Sequence, residues 1–151
     1  EFKVRDDYLF NLFEITELMD MHPYDLSGGE VQRVAVTKAL MQKTDVLILD
    51  EITKGMGEEF KSVLGKELIR QSRERGLAVL LSSHDIDFCA EYTDTCRLLF
   101  NGAVAAKGRT REIIRDNDYY TTKARILTKG VFENTITNRD VIELCRLLKT
   151  R

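Results

Sequence analysis

Apolar side chains recur near the start of the chain at Tyr8, Leu12, Ile15 and Met19, a spacing that predicts one face of a helix. His22-Pro23-Tyr24-Asp25 interrupts this pattern, because proline disfavours helical backbone for the residue before it. After Leu26-Ser27-Gly28-Gly29-Glu30, a second helical pattern sets Val31, Val34, Ala35 and Ala39 on one side. Val46-Leu47-Ile48-Leu49 is an unbroken apolar run, which predicts a strand buried on both faces of a parallel sheet. Phe60, Val63, Leu64 and Leu68 predict another amphipathic helix, ended by Gly76 as C-cap. Leu77 to Leu81 reads as a second buried strand, followed by a short helix from Ile86 to Tyr92.

Further on, Cys96 to Phe100 and Ala103 to Lys107 flank Asn101-Gly102, a strong hairpin signal. A short helix is expected near Thr110–Arg115. A last one carries Val141, Leu144, Cys145 and Leu148 on one face, with Asn138 or Thr137 as N-cap, and is expected to pack on the rest. Residues 116–134 show no readable period. Strands alternating with helices predict an α/β fold, a parallel sheet flanked by helices.

The chain has 151 residues, 43% hydrophobic and 32% charged, with a formal net charge of −2. That balance offers no cationic surplus for nucleic acid or an anionic membrane, so no nucleic-acid partner is expected. No apolar run approaches the roughly 20 residues that span a bilayer. Cys89, Cys96 and Cys145 form no C-x-x-C pair, and His22 and His84 have no cysteine at metal-ligand spacing. A disulfide scaffold or zinc site is therefore not expected; three buried or half-buried thiols in a reducing compartment are.

Four features carry candidate chemistry. Ser27-Gly28-Gly29-Glu30 opens a helix, where free N–H groups and the positive dipole end suit a phosphate and the glycines permit close approach. The same residues also suit a plain serine N-cap followed by a glycine turn. Asp50 and Glu51 end the first apolar strand, the position where open α/β sheets bind ligands. One carboxylate there can hold Mg²⁺ through water, and the next can polarise a water for attack on a phosphoryl group. The second strand ends in Ser82-Ser83-His84-Asp85, whose imidazole can hydrogen-bond a phosphate oxygen or the attacking water. Thr53-Lys54-Gly55-Met56-Gly57 links the acids to the next helix as a tight loop.

Taken in order, these residues resemble the ATP-binding-cassette (ABC) ATPase family over nearly the whole chain. Leu26–Glu30 is similar to its signature motif, Val46 to Glu51 to its Walker B strand with the catalytic glutamate, and His84 to its switch histidine. Thr53 to Gly57 occupy the place of its D-loop. Asp50 stands 23 positions after Ser27, and His84 33 after Glu51, spacings that suit the family. Thr53-Lys54-Gly55, the run from His84 to Tyr92, and Tyr119-Tyr120-Thr121-Thr122 resemble the ATPase subunits of energy-coupling-factor (ECF) importers, which take up vitamins and transition-metal ions in prokaryotes.

The resemblance implies a P-loop NTPase core in three parts. Residues 1–42 would belong to the helical subdomain with the signature, 43–115 to the ATPase core, and 116–151 to a C-terminal extension packing on it. It implies ATP and Mg²⁺ as cofactors, Glu51 and His84 as catalytic groups, and Asp50 as the Mg²⁺-organising carboxylate. Ser27, Gly28, Gly29 and Glu30 would contact ATP held by a second ATPase domain in a head-to-tail pair. A transmembrane coupling subunit at the cytoplasmic face of the membrane would be the other partner.

No Gly-x-x-x-x-Gly-Lys-[Ser/Thr] occurs in these residues and no glutamine precedes Gln32, so the chain alone is expected neither to bind ATP tightly nor to hydrolyse it. Ile52 stands where the family usually has proline, and Gly57 where it usually has the D-loop aspartate. A non-transport ABC ATPase and a non-catalytic partner-binding fragment are the alternative readings.

Overall fold

The computed structural model describes residues 2–149, with side chains in the first helix described from Asp7 onward. The chain forms two compact units, Glu1–His84 and Asp85–Arg151.

In the first unit, α1 (Phe2–Leu12) buries Leu9, and Phe13 just after it is equally enclosed. The helix does not run on to Met19 as the spacing predicted. Glu14 adopts a left-handed backbone (φ 50°), which breaks the helical path before the buried Ile15. Tyr8 and Met19 are exposed.

Helix α2 (Gly28–Met41) buries Val36, Thr37 and Leu40, whereas Val31 and Ala35, expected on the inner side, are exposed. Arg33 fixes this rotation. Its guanidinium donates to the carbonyls of Phe13 (3.1 Å) and Glu14 (3.4 Å) at the end of α1, while Thr37 donates to the Arg33 carbonyl (2.8 Å).

Strands β1 (Val46–Asp50) and β2 (Ala78–Ser82) pair in parallel, with Val46 opposite Ala78 and Asp50 opposite Ser82. Leu47 and Leu49 are buried, but Val46, Ile48 (70% exposed) and Leu80 (62%) are open, so the expectation of burial on both faces fails. Among the described residues this sheet has only two strands, with α3 against β2, and residues alternate between its faces. The apolar run reports a sheet face that nothing in the described residues covers.

Helix α3 (Glu58–Arg75) begins with two acids and ends with Arg73 and Arg75, each matched to the helix dipole, and Gly76 caps it in left-handed backbone as predicted. Beside buried Leu64 and Leu68 it encloses two polar groups, Glu67 and Gln71. The Glu67 carboxylate accepts from Arg70 Nε (2.8 Å), an Arg70 terminal nitrogen (2.7 Å), Gln71 Nε2 (2.6 Å) and the Tyr8 hydroxyl (3.2 Å). Burial pushes its pKa up, but these donors outweigh burial and hold it below the usual carboxylate value. The network ties α1 to α3.

In the second unit, α4 (Ile86–Tyr92) starts at Asp85, whose carboxylate accepts from the Phe88 N–H (3.0 Å). Strands β3 (Thr95–Phe100) and β4 (Ala103–Arg109) form the predicted antiparallel hairpin, with Asn101 and Gly102 both left-handed as a tight primed turn requires. Helix α5 (Thr110–Arg115) follows, and Ala90, Ile114 and Ile136 form a small core with Ile86 against it.

Residues 116–134 hold a helix the sequence concealed, α6 (Lys123–Thr128). Its inner side is mostly polar: Ala124, Arg125 and Thr128 are buried with the capping Thr122, while Ile126 and Leu127 are exposed, so no apolar stripe betrays it. Helix α7 (Asn138–Lys149) takes Thr137 as its cap, through Asp140 N–H to the Thr137 hydroxyl (3.2 Å). The Asp140 carboxylate returns to the N–H groups of Ile136 and Thr137, both at 2.8 Å. No described side chain of α7 is fully buried. Cys89 and Cys96 are half-buried, and Cys145 is exposed rather than enclosed.

Candidate functional site

All the residues singled out for chemistry lie in the first unit. Ser27 is the N-cap of α2, and the cap is reciprocal: the Ser27 hydroxyl accepts from the Glu30 N–H (3.4 Å), and the Glu30 carboxylate accepts from the Ser27 N–H (2.7 Å). The bonds to Ser27 hold the Glu30 carboxyl below its ordinary pKa. The plain N-cap reading is thus realised. The N–H groups of Gly28 and Gly29 lie in the first turn, where a helix offers them no acceptor.

Asp50 is exposed at the tip of β1, on the open sheet face with Val46 and Ile48 by the alternation of the strand. Glu51 follows in left-handed backbone (φ 48°), a conformation that costs a non-glycine residue about 1–2 kcal/mol. Its N–H is held by the Ser82 carbonyl at 2.9 Å, which keeps the bend in place. Strain of this kind collects where a side chain must be aimed. The Glu51 Oε2 lies 2.6 Å from Nδ1 of His84, two residues past the end of β2. That oxygen is buried and makes no aligned hydrogen bond, so the pair is held at ion-pair distance rather than along an N–H direction. His84 is 75% exposed and Glu51 38%, so the pair faces solvent.

The structure therefore brings Glu51 and His84 together, with Asp50 adjacent in the chain. Ser27–Glu30 make no hydrogen bond to those three among the described residues. They meet the loop that follows them instead: a Cβ built on Gly29 would stand 2.8 Å from the Gly55 carbonyl oxygen. In that loop Ile52, Thr53 and Met56 are buried, and the Thr53 hydroxyl lies 3.3 Å from that of Ser83, next to His84.

Two participants escaped the sequence reading. Arg33 stacks over the Phe60 ring at 4.2 Å and lies 3.9 Å from the Glu30 carboxylate, joining the capped turn to α3. A lone arginine on a helix carries no spacing signal that could have marked it. The Thr53–Ser83 contact pairs two ordinary loop hydroxyls and was equally silent.

A family model described as ABC transporter matches residues 2–54, from α1 past Glu51 to Lys54. An ABC transporter ATP-binding protein of Clostridium tetani is 37% identical over 142 residues, covering 94% of this chain and 32% of that protein. The energy-coupling factor transporter ATP-binding protein EcfA2 of Latilactobacillus sakei is 35% identical over 106 residues, covering 70% of this chain and 36% of that protein. Among solved structures, cbiO1 of Clostridium perfringens, part of the ABC transporter complex cbiONQ, superposes with a TM-score of 0.63 at 26% identity, over 97% of this chain and 53% of that one. The fold is accordingly part of a P-loop NTPase domain, and the chain belongs to the ABC transporter ATP-binding family. It spans about a third of the length of these two curated relatives. No helix among the described residues is long and apolar enough to cross a membrane.

Proposed function

We propose that this chain supplies the signature and water-activating elements of an ATPase that works as a head-to-tail pair and drives import across a membrane. The observation that carries this reading is Glu51, strained into left-handed backbone at a strand tip with His84 at 2.6 Å. A structural ion pair at a solvated strand end would have no need of that strain.

Glu51 acts as the base. Its carboxylate takes a proton from a water whose oxygen attacks the γ-phosphorus of ATP, and ADP leaves with the bridging oxygen. His84 releases Glu51 and donates to a γ-phosphate oxygen. Gly28 and Gly29, with the Ser27 hydroxyl, present donors to the γ-phosphate of the nucleotide on the partner domain. Glu30 holds that turn in shape through the reciprocal cap. These 151 residues hold no phosphate-gripping Gly-x-x-x-x-Gly-Lys-[Ser/Thr] loop, and the chain by itself is inactive.

Asp50 fits Mg²⁺. Magnesium keeps most of its waters and takes one or two carboxylates along with substrate phosphates, and Asp50 is exposed beside Glu51. The described residues gather no group of three or more His, Cys, Asp or Glu that would make a closed cage. Bound there, the ion would neutralise charge on the phosphate oxygens.

The likeness to EcfA2 and cbiO1 supports an importer of the energy-coupling-factor kind, with a transmembrane coupling subunit as partner and a vitamin or metal ion as cargo. Residues 1–42, 43–115 and 116–151 serve as helical, catalytic and C-terminal parts. The test uses Glu51→Gln in the full-length protein. With MgATP, light scattering should report a stable doubling of mass that wild type shows only transiently. A mass unchanged by MgATP in both proteins would count against the paired site.

A further inference from the structure

The two glycines of the Ser27–Glu30 turn are not equivalent. A Cβ at Gly28 meets nothing within 4 Å, whereas at Gly29 it would stand 2.8 Å from the Gly55 carbonyl oxygen, a separation that real Cβ atoms essentially never show. The atom met is backbone, so no flexible side chain can yield. One turn further along α2, Arg33 lies over Phe60, so the first turn of α2 runs along residues 55–60 through two successive contacts.

That loop has little freedom to retreat. Gly55 is left-handed (φ 79°), and two turns brace it: the Lys54 N–H to the Glu51 carbonyl (3.0 Å) and the Met56 N–H to the Thr53 carbonyl (3.2 Å). Thr53 and Met56 are buried, and the Thr53 hydroxyl touches that of Ser83. A push on Gly55 is therefore delivered to the Glu51 carbonyl on one side and to the residue before His84 on the other.

We propose that Gly29 is a positioning residue for the Glu51–His84 pair of its own chain. Its missing side chain seats the 53–57 loop, and through that loop it sets where the two side chains meet. Glycine at this position serves a protein carbonyl within the chain, besides any phosphate of a partner's nucleotide. The structural half stands by itself; the effect on turnover rests on the ATPase reading given above.

The test compares Gly29→Ala with Gly28→Ala in the full-length protein. Without nucleotide, hydrogen exchange at the Lys54 and Met56 amides should be about tenfold faster in Gly29→Ala and unchanged in Gly28→Ala. With MgATP, at temperatures where the fold is intact, Gly29→Ala should lower kcat by about ten- to a hundredfold while KM for ATP stays within about twofold. Phe60→Leu, which removes the neighbouring stack and keeps an apolar side chain, should speed the same amides by about threefold and stands in should Gly29→Ala fail to fold. Exchange that is unchanged in Gly29→Ala, or equally raised in Gly28→Ala, overturns the proposal. So does unchanged exchange in Phe60→Leu where Gly29→Ala does not fold. Because exchange is read without nucleotide, an absence of ATPase activity overturns the catalytic reading and leaves the seating intact. Turnover with unchanged exchange does the reverse.

Discussion

Glu67→Ala removes a 2% exposed carboxylate that accepts four hydrogen bonds, and the structure sets what each loss costs. Gln71 is 1% exposed, so its Nε2 loses its acceptor with no water to replace it, a penalty of about 1–3 kcal/mol. The Arg70 side chain is 38% exposed and keeps Glu74 at 2.6 Å, so it rehydrates at little cost. Tyr8 is also open enough to hydrate its hydroxyl. Alanine's better helix propensity returns a few tenths of a kcal/mol. The orphaned amide dominates, and a net loss of about 2 kcal/mol is expected near neutral pH.

The loss also depends on pH. The Glu67 pKa is depressed in the fold, so its contribution is complete above the unfolded carboxylate value, about 4.3, and disappears as pH falls through the lower folded value. Urea titrations of wild type and Glu67→Ala, followed by circular dichroism at pH 7 and pH 3, should show a difference that narrows in acid. A difference under about 0.5 kcal/mol at pH 7, or one that widens in acid, would mean that the Glu67 carboxylate does not stabilise the fold through these bonds.

Three further outcomes follow from the packing. Leu64→Ala opens a cavity at a fully buried position of α3 and should cost about 3 kcal/mol in the same titration. Gly57→Asp places a capping carboxylate at the start of α3, where the backbone is already extended (φ −68°, ψ 157°) and a new Cβ meets nothing within 4 Å; thermal melting should show a gain of a few tenths of a kcal/mol. Asp140→Ala removes the acceptor for two N–H groups and for Arg111, and should destabilise the second unit by about 1 kcal/mol. Burial raises the Asp140 pKa, but the Thr137 and Ile136 N–H groups and Arg111 bring it below the ordinary value, so this loss too should shrink as pH falls through the acid range.

Local signals were legible in the sequence because they act over a few residues. Gly76 ends α3, Asn101-Gly102 turns the hairpin, and α4 spans Ile86–Tyr92 as its pattern predicted. Burial was less legible, since it depends on what packs from afar. Val31 and Ala35 face outward because Arg33 is anchored to the end of α1, and Ile48 looks like a core residue although nothing described covers it. Helix α6 was hidden because its inward residues are a single alanine, an arginine and a threonine, with no large apolar side chain among them.

Of the candidate site, the residue types and their order were legible, including the acids and histidine that meet. The strain at Glu51 was not, because any residue type can be forced to positive φ by its surroundings. The roles of Gly28 and Gly29 were not separable either, because adjacent glycines read alike until a carbonyl is seen beside one of them.

The central proposal is that Glu51 serves as the base for ATP hydrolysis. The most direct measurement is phosphate release from MgATP by the full-length protein, wild type against Glu51→Gln, with nucleotide binding followed in parallel. A fall in kcat of about 10²-fold or more is expected, with ATP binding retained. Equal rates in the two proteins would contradict it.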